Sequence, residues 1–239
     1  FGDEILLPVD IVKNIAKNIA VFTDSDAQKN ITKAISYGKF GRPMPVDVAK
    51  NIAKNIAVFT DPKAQQYIAE AIKKGVFGEQ LPEEVAQKIV EKLGVFTDPE
   101  ARQGVALAIK QGKFGNPMPE DVAEKIAKNL VVFTDPDAQD NVAEAIKDGK
   151  FGNPIPEDVA EKIADNLVVF TGPEAQRLVG KAIKDGILGN PMPPIVAENI
   201  AKNLGLFTDP DAQRHVGEAI KDGKFGNPIP EDVAKKIAD

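Results

Sequence analysis

The strongest constraint in this 239-residue sequence is a phrase that recurs with a period of 37 residues. FGNPIPEDVA stands at 151–160 and again at 225–234, and a copy with Met118 in place of Ile stands at 114–123. A fixed period of this length is typical of a repeat architecture, in which each repeat contacts only its neighbours. The first residue of the phrase keeps the spacing along the chain, at Phe40, Phe77, Phe114, Phe151, Leu188 and Phe225.

These positions divide the chain into six full repeats and a partial one, which we predict to form a single repeat domain over 1–239. The first repeat is two residues longer than the others, and the extra residues fall in the segment DEILLP before Pro8. The predicted boundaries are 1–39, 40–76, 77–113, 114–150, 151–187, 188–224 and the partial repeat 225–239.

The first half of each repeat has the pattern of an amphipathic helix. In 119–129 (PEDVAEKIAKN), apolar residues recur at i, i+1, i+4 and i+5 from Val122, so they share one face of a helix. The initial proline fits a first helical turn, and the acids after it complement the helix dipole. We expect the helix to end with Asn129 in a left-handed conformation, and Gly94 to serve where that Asn is missing.

The second half of each repeat predicts another helix, which starts within FTDPDA. Thr134 or Asp135 can cap its first turn, with Pro136 just inside. Thr followed three residues later by an acid recurs in most repeats and resembles a capping box. Gly149 is expected to end the helix.

A helix pair of this length cannot bury its apolar face alone, so neighbouring repeats must share one core. We therefore predict an all-α fold, a right-handed α-solenoid of two-helix repeats with a period of 37 residues. The two-helix repeat, its length and its loop prolines resemble the broad class of tetratricopeptide, HEAT and armadillo repeats. The resemblance is architectural, because the Trp, Leu-Gly and Tyr pattern of the tetratricopeptide first helix is missing and the sequence has no Trp.

Composition argues against most catalytic and metal sites. The sequence has no Cys and a single His, His215, while its serines, Ser25 and Ser36, both lie in the first repeat. The acidic stretch 135–141 lacks the glycine and the final acid that an EF-hand requires, so helix capping explains its acids better. We expect no enzymatic activity, no catalytic residue, no metal site and no cofactor.

Charge and hydropathy narrow the partners. The net charge of −6 argues against a nucleic-acid surface, which is usually basic. No apolar run is long enough to cross a bilayer, and no signal peptide opens the sequence. We expect a soluble protein without a nucleic-acid or membrane partner, and the sequence does not determine the compartment.

One face of the second helix, opposite its Ala/Val/Ile stripe, differs from repeat to repeat. This variation indicates either a surface on which each repeat contacts one part of a partner, or drift on a solvated face. Apolar side chains there, expected to be exposed, favour the first interpretation. The candidate partner-binding residues are Asn30, Tyr67, Leu107, Asn141, Arg177, Leu178, Lys181, Arg214 and His215.

An Asn near the end of the first helix is a second candidate. In armadillo repeats, to which the architecture is broadly similar, inward Asn residues hold the backbone of an extended peptide. Capping of the helix end is the simpler explanation here. The residues are Asn18, Asn55, Asn129, Asn166 and Asn203.

The sequence therefore favours a non-enzymatic repeat scaffold that binds a protein or an extended peptide along its surface. One alternative is a structural or designed repeat array without a ligand of its own. Another is a self-associating module that pairs through its terminal repeats, because the sequence starts at Phe1 and stops within a first helix.

Overall fold

A computed structural model describes residues 6–238 of the chain. Phe1, Asp239 and the first part of the DEILLP segment, on which the predicted insertion falls, lie outside the described residues. Within 6–238 the chain forms thirteen α-helices and no strand, which confirms the all-α class.

Two kinds of helix alternate, and a short 3₁₀ turn follows the first helix of each of the six full repeats. The first helices are α1 (Val9–Lys17), α3 (Val46–Lys54), α5 (Glu83–Val90), α7 (Glu120–Lys128), α9 (Glu157–Asp165), α11 (Pro194–Lys202) and α13 (Glu231–Ala238). The second helices are α2 (Ser25–Ser36), α4 (Pro62–Lys73), α6 (Pro99–Lys110), α8 (Pro136–Lys147), α10 (Pro173–Lys184) and α12 (Pro210–Lys221).

The described chain divides into two compact units, one up to Gly115 and one from Asn116 onwards. In the amino-terminal unit, α1, α3 and α5 pack in order as one layer, and α2, α4 and α6 pack in order as another. The carboxy-terminal unit repeats this arrangement with α7, α9, α11 and α13 in one layer and α8, α10 and α12 in the other. Sequential packing of equivalent helices is that of a helical repeat solenoid, as the period predicts. The single domain over 1–239 stays a prediction.

The predicted apolar stripes form the core. Val122, Ala123, Ile126 and Ala127 of α7 are all fully buried. The Phe that precedes the Thr of each second helix is also buried in five repeats, as expected for a side chain between the two layers. These residues are Phe59, Phe96, Phe133, Phe170 and Phe207.

The recurring FGNPIP phrase forms the loop that joins one repeat to the next. Phe151 is buried, and Gly152 has a φ of 123°. A Cβ at Gly152 would lie 2.9 Å from Cδ of Pro156, so the turn accepts only glycine. The N–H of Ile155 donates to the carbonyl of Ile187 in the next loop, at 2.8 Å. Equivalent bonds join Leu7 to Lys39, Met44 to Val76, Leu81 to Lys113, Met118 to Lys150 and Met192 to Lys224.

The first helix does not end in a left-handed residue, so that prediction is wrong. Asn129 has a φ of −106°, and its Nδ2 donates to the carbonyl of Lys125 at 2.8 Å. The chain continues directly into the 3₁₀ turn Leu130–Val132, which needs no reversal of the backbone. Gly94 lies inside the corresponding turn Leu93–Val95 and does not have a positive φ, so its predicted role is also wrong.

The Asn side chains also connect repeats. Nδ2 of Asn166 donates to the carbonyl of Ala127 in the preceding repeat at 3.2 Å, in addition to its bond within α9. Asn203 makes the same pair of bonds, one of them to the carbonyl of Ala164 at 3.3 Å. These bonds support the structural explanation for the Asn residues over the peptide-holding one.

Asp, not Thr, caps the second helix. Oδ1 of Asp135 accepts from the N–H groups of Asp137 and Ala138, at 3.1 and 3.4 Å. Thr134 lies one residue before the cap, so the interpretation of Thr as the start of a capping box is wrong. The same Asp position caps every second helix except α10, where Gly172 offers no side chain.

A buried glutamine links four of the second helices, α2, α4, α8 and α10, to the start of the next one. Gln65 is only 3% exposed, and its Oε1 accepts from the N–H groups of Thr97 and Asp98 at 2.9 and 3.0 Å. Its Nε2 donates to the carbonyls of Val95, at 2.7 Å, and Phe59, at 3.1 Å. One carboxamide thus satisfies four backbone groups from two repeats.

Gln28, Gln139 and Gln176 make corresponding bonds to the Thr or Asp of the following repeat. This ladder of glutamines is not predicted by the apolar pattern of the sequence. Its signal is a Gln that recurs at one position of the second helix while the neighbouring positions change, as Gln28, Gln65, Gln139, Gln176 and Gln213, with Arg102 in the third repeat.

We expect Gln65→Leu to lower the free energy of unfolding by about 1–3 kcal/mol, because it leaves partly buried backbone donors and acceptors of the next repeat without their protein partner. Urea unfolding followed by circular dichroism measures the change. Gln213→Leu is the matched control, because Gln213 is exposed and its one described bond is to the carbonyl of Phe207. An equal loss for the two variants would contradict the role of the ladder.

Candidate functional site

The structure leaves only part of the predicted variable face of the second helices exposed. Asn30, Lys181 and Arg214 are exposed, as expected for that face. Tyr67, Leu107 and Leu178 were predicted to be exposed, but the structure places all three as half-buried. Neighbouring second helices pack side by side, so part of this face is covered by the adjacent helix. Asn141, Arg177 and His215 are half-buried for the same reason.

Two of the charged candidates are engaged within the chain. Arg177 pairs with Glu174 of its own helix. Nη2 and Nη1 of Arg214 lie 3.1 and 3.2 Å from carboxylate oxygens of Asp211 and Glu218. Nε2 of His215 lies 3.3 Å from Arg214. These contacts account for the arginines without a partner molecule.

The variable position that precedes Tyr67 and its equivalents by one residue contacts the capping Asp of the next second helix. Nε2 of Gln66 donates to Oδ1 of Asp98 at 3.1 Å. Nε of Arg177 lies 4.0 Å from Oδ1 of Asp209, the corresponding cap. Variation at this position therefore adjusts the junction between repeats, which the sequence alone could not separate from variation on a free surface.

Asp140 and Gly172 form the most specific of these junctions. Gly172 stands where the other repeats have a capping Asp, so α10 has no side-chain cap of its own, and the carboxylate of Asp140 from α8 lies close enough to interact with the N–H of Ala175 in its first turn. A Cβ at Gly172 would lie 3.9 Å from Oδ1 of Asp140. Asp140 is the one acid at its position, where the other repeats have Lys29, Gln66, Gln103, Arg177 and Arg214. The two departures from the repeat pattern therefore compensate each other.

This arrangement perturbs the carboxyl group. Burial raises the pKa of Asp140, and the nearby carboxylate of Glu174 raises it further. The N–H of Ala175 and the guanidinium of Arg177 oppose the rise, since both favour the charged form. The net pKa is above the ordinary value of an aspartate.

A groove between α4 and α6 brings together two of the predicted site residues, Tyr67 and Leu107. Its volume is about 500 Å³. The floor holds Ala69 and Gly104, and the two large side chains stand on opposite walls, Tyr67 on α4 and Leu107 on α6. The remaining lining is polar: Lys63, Gln66, Glu70, Lys73, Glu100 and Gln103.

Gly104 explains why the groove lies at this place. The other repeats carry Asn30, Tyr67, Asn141, Leu178 or His215 at the equivalent position. A Cβ on Gly104 would lie 3.0 Å from Cβ of Ala69, so the glycine lets the two helices approach closely and leaves the space above them open. Gly104 belongs to the face of the second helix that varies between repeats, but the sequence does not predict a groove there.

The rim of the groove is charged and largely paired. Nζ of Lys63 donates to Oε1 of Gln66 at 2.6 Å and lies 5.7 Å from the centre of the Tyr67 ring, a cation–π geometry. The carboxylate of Glu70 contacts Nζ of Lys73 at 2.5 Å and Nζ of Lys74 at 3.0 Å. Two cations therefore share one carboxylate at the carboxyl-terminal end of α4.

A smaller apolar depression lies in the carboxy-terminal unit. Val131 and Val168, in the second position of their 3₁₀ turns, are 58% and 56% exposed. They flank a cavity of about 280 Å³ that also contacts Phe133, Val169 and Thr171. Oε1 of Gln139 already accepts from the N–H and hydroxyl groups of Thr171, so the cavity offers few further polar groups for directional contacts.

Within residues 6–238, no group of three or more His, Asp or Glu side chains is placed to hold a metal ion. The same residues contain no helix with the length and apolar composition needed to cross a membrane.

Comparisons of the chain with models of protein families, with curated proteins and with solved structures found no match.

We expect the stability of the wild-type chain relative to an Asp140→Asn variant to fall with rising pH. The folded-state pKa is raised, so the contribution of Asp140 is complete below its ordinary pKa, about 3.9, and is lost as the pH rises through the folded value. Asn keeps an oxygen that can accept from Ala175 but does not titrate. Urea unfolding of both proteins across acidic pH measures the difference, and a difference that rises with pH would contradict the assignment.

Two further variants test whether Asp140 caps α10, independently of the charge of its carboxylate. We expect Asp140→Ala to be less stable than Asp140→Asn by about 1 kcal/mol, because alanine leaves the first turn of α10 without an acceptor. Adding Gly172→Asp should recover most of that loss, since α10 then carries its own cap. If Gly172→Asp stabilises the Asn and Ala backgrounds equally, Asp140 does not cap α10.

Proposed function

We propose that the protein is a non-enzymatic repeat scaffold that binds a protein or peptide partner on the face of its second helices, centred on the α4–α6 groove. The observation that carries the proposal is the pair Tyr67 and Leu107, which stand half-buried on opposite walls above the small residues Ala69 and Gly104. Aromatic and aliphatic anchors in a recess flanked by polar side chains are the usual centre of a protein-binding surface.

The polar rim supports a protein partner over a small molecule. The groove is open along its length, whereas small-molecule sites usually enclose most of their ligand in a concave pocket. Its cations and carboxylates are balanced, with Lys63 and Lys73 against Glu70 and Glu100. A net charge of −6 also favours a protein over a nucleic acid.

A structural repeat array without a ligand is the second candidate, and one observation favours it. Several variable residues that resembled a binding surface in the sequence serve junctions between repeats, among them Gln66, Asp140 and Arg177. In such an array the α4–α6 groove is a packing irregularity caused by Gly104.

Selection of linear peptides from a random phage-displayed library on the immobilised full chain separates the two candidates. We expect independently selected peptides to compete for one site and to lose affinity by about tenfold or more on a Tyr67→Ala, Leu107→Ala double variant, since central anchors contribute this much to an interface.

Val131→Ala, Val168→Ala is the matched control, because it removes two exposed apolar side chains outside the groove. Its binding should stay within about twofold of wild type, and urea unfolding checks that both double variants keep their fold. Peptides that bind the groove variant as well as wild type, or no peptide above background, would favour the array without a ligand.

A further inference from the structure

We infer that the α4–α6 groove accepts an amphipathic α-helix of the partner, with a large apolar anchor over Gly104 and an acidic side chain near Lys73. The inference rests on the proposed function and narrows its occupant from any protein segment to a helix.

The backbone of the groove walls argues for a helix over an extended peptide. An extended peptide gains most of its affinity from main-chain hydrogen bonds to an open edge. The walls are the interiors of α4 and α6, whose N–H and C=O groups are bonded within each helix. Their first turns are capped as well, by Asp61 accepting from Ala64 and Asp98 accepting from Ala101. An extended strand would gain no main-chain hydrogen bonds from these walls, whereas a helix needs none because its own backbone groups are bonded within it.

The length and spacing of the lining residues also fit a helix. The wall on α4 runs from Lys63 to Lys73, which is about 15 Å at 1.5 Å per residue. Lys63, Gln66, Tyr67 and Glu70 follow an i, i+3, i+4, i+7 pattern, and the wall on α6 keeps this pattern from Glu100 to Leu107. Ridges with this period accept the ridges of a third helix in the usual ridges-into-grooves manner.

The shape of the centre of the groove determines which side chain of the occupant can serve as its anchor. Gly104 and Ala69 form a floor without protruding side chains, between the Tyr67 ring and the Leu107 side chain. A large apolar side chain of the occupant fills this recess and contacts both walls. Asn in place of Gly104, as at Asn30 and Asn141, would fill the recess with a polar group.

The charges at one end of the groove determine which charged side chain of the occupant fits there. Glu70 is shared by the ammonium groups of Lys73 and Lys74, which leaves one positive charge in excess at the carboxyl-terminal end of α4. At the other end, Lys63 and the exposed carboxylate of Glu100 balance each other. A carboxylate on the occupant is therefore complementary to the Lys73 end.

Two further display libraries on the full chain test this inference. One randomises six surface positions on a helix of a rigid helical scaffold, and the other randomises six positions on a disulfide-closed β-hairpin. We expect groove binders from the helix library, enriched in an acid at one end of the contact face. Gly104→Asn should weaken them by about tenfold or more, as loss of a central anchor does.

Gly94→Asn is the matched control, because a Cβ at Gly94 meets nothing within 4 Å and the residue does not line the groove. It should change affinity by less than about twofold, the range of a remote surface substitution. Unfolding of the Gly104→Asn variant shows whether its contact with Ala69 disturbs the fold, and Tyr67→Ala repeats the test without that contact.

The outcomes distinguish the inference from the proposed function. Hairpin binders that depend on Tyr67 and Gly104, without helix binders that do, overturn the helical occupant but leave a groove that binds peptides. Helix binders that ignore both residues also overturn it. If linear, helical and hairpin selections all fail to give a groove-dependent binder, both proposals are wrong.

Discussion

The stack of second helices depends on a buried carboxamide. Gln65 accepts two N–H groups at the start of the next second helix and donates to carbonyls on both sides of the junction. These backbone groups lie at the end of the 3₁₀ turn, as Val95 does, or between the turn and the next helix, where regular secondary structure leaves them unpaired. These hydrogen bonds form only when neighbouring repeats lie at one particular distance from each other. A repeat that keeps the Gln therefore keeps the spacing of its neighbour, and the same spacing brings the loops close enough for the bond from Ile155 to Ile187.

These shared bonds explain which residues can vary. The loop phrase, the Gln and the capping Asp each serve two repeats or a helix end, so a change at one of them disturbs a junction. Asp140 and Gly172 show that such a change can be tolerated when the preceding helix supplies the missing acceptor. The compensation places a carboxylate near Glu174 and partly removes it from water, which accounts for its raised pKa.

A binding function can develop at positions that make no contact at a junction between repeats. Gly104 removes a side chain from the face between α4 and α6, and the space it leaves has Tyr67 and Leu107 on its walls. Of the charged groups of this groove, Glu70 and Lys73 are paired with each other. Our proposal of a protein partner rests on its two large side chains above small residues, and the inference of a helix rests on the periodic spacing of its walls.

The sequence by itself determined the period, the two helices of each repeat and the apolar stripes, because these depend on local patterns of spacing and composition. It did not determine how helices end: Asn129 and Gly94 were assigned left-handed roles, whereas the chain passes directly into 3₁₀ turns whose backbone bonds are local. It identified Tyr67 and Leu107 as candidates but treated them as separate exposed residues. Only the tertiary structure placed them in one groove and assigned Asp140 to a junction, because both results depend on which helix lies beside which, and how closely, a property that no single helix encodes.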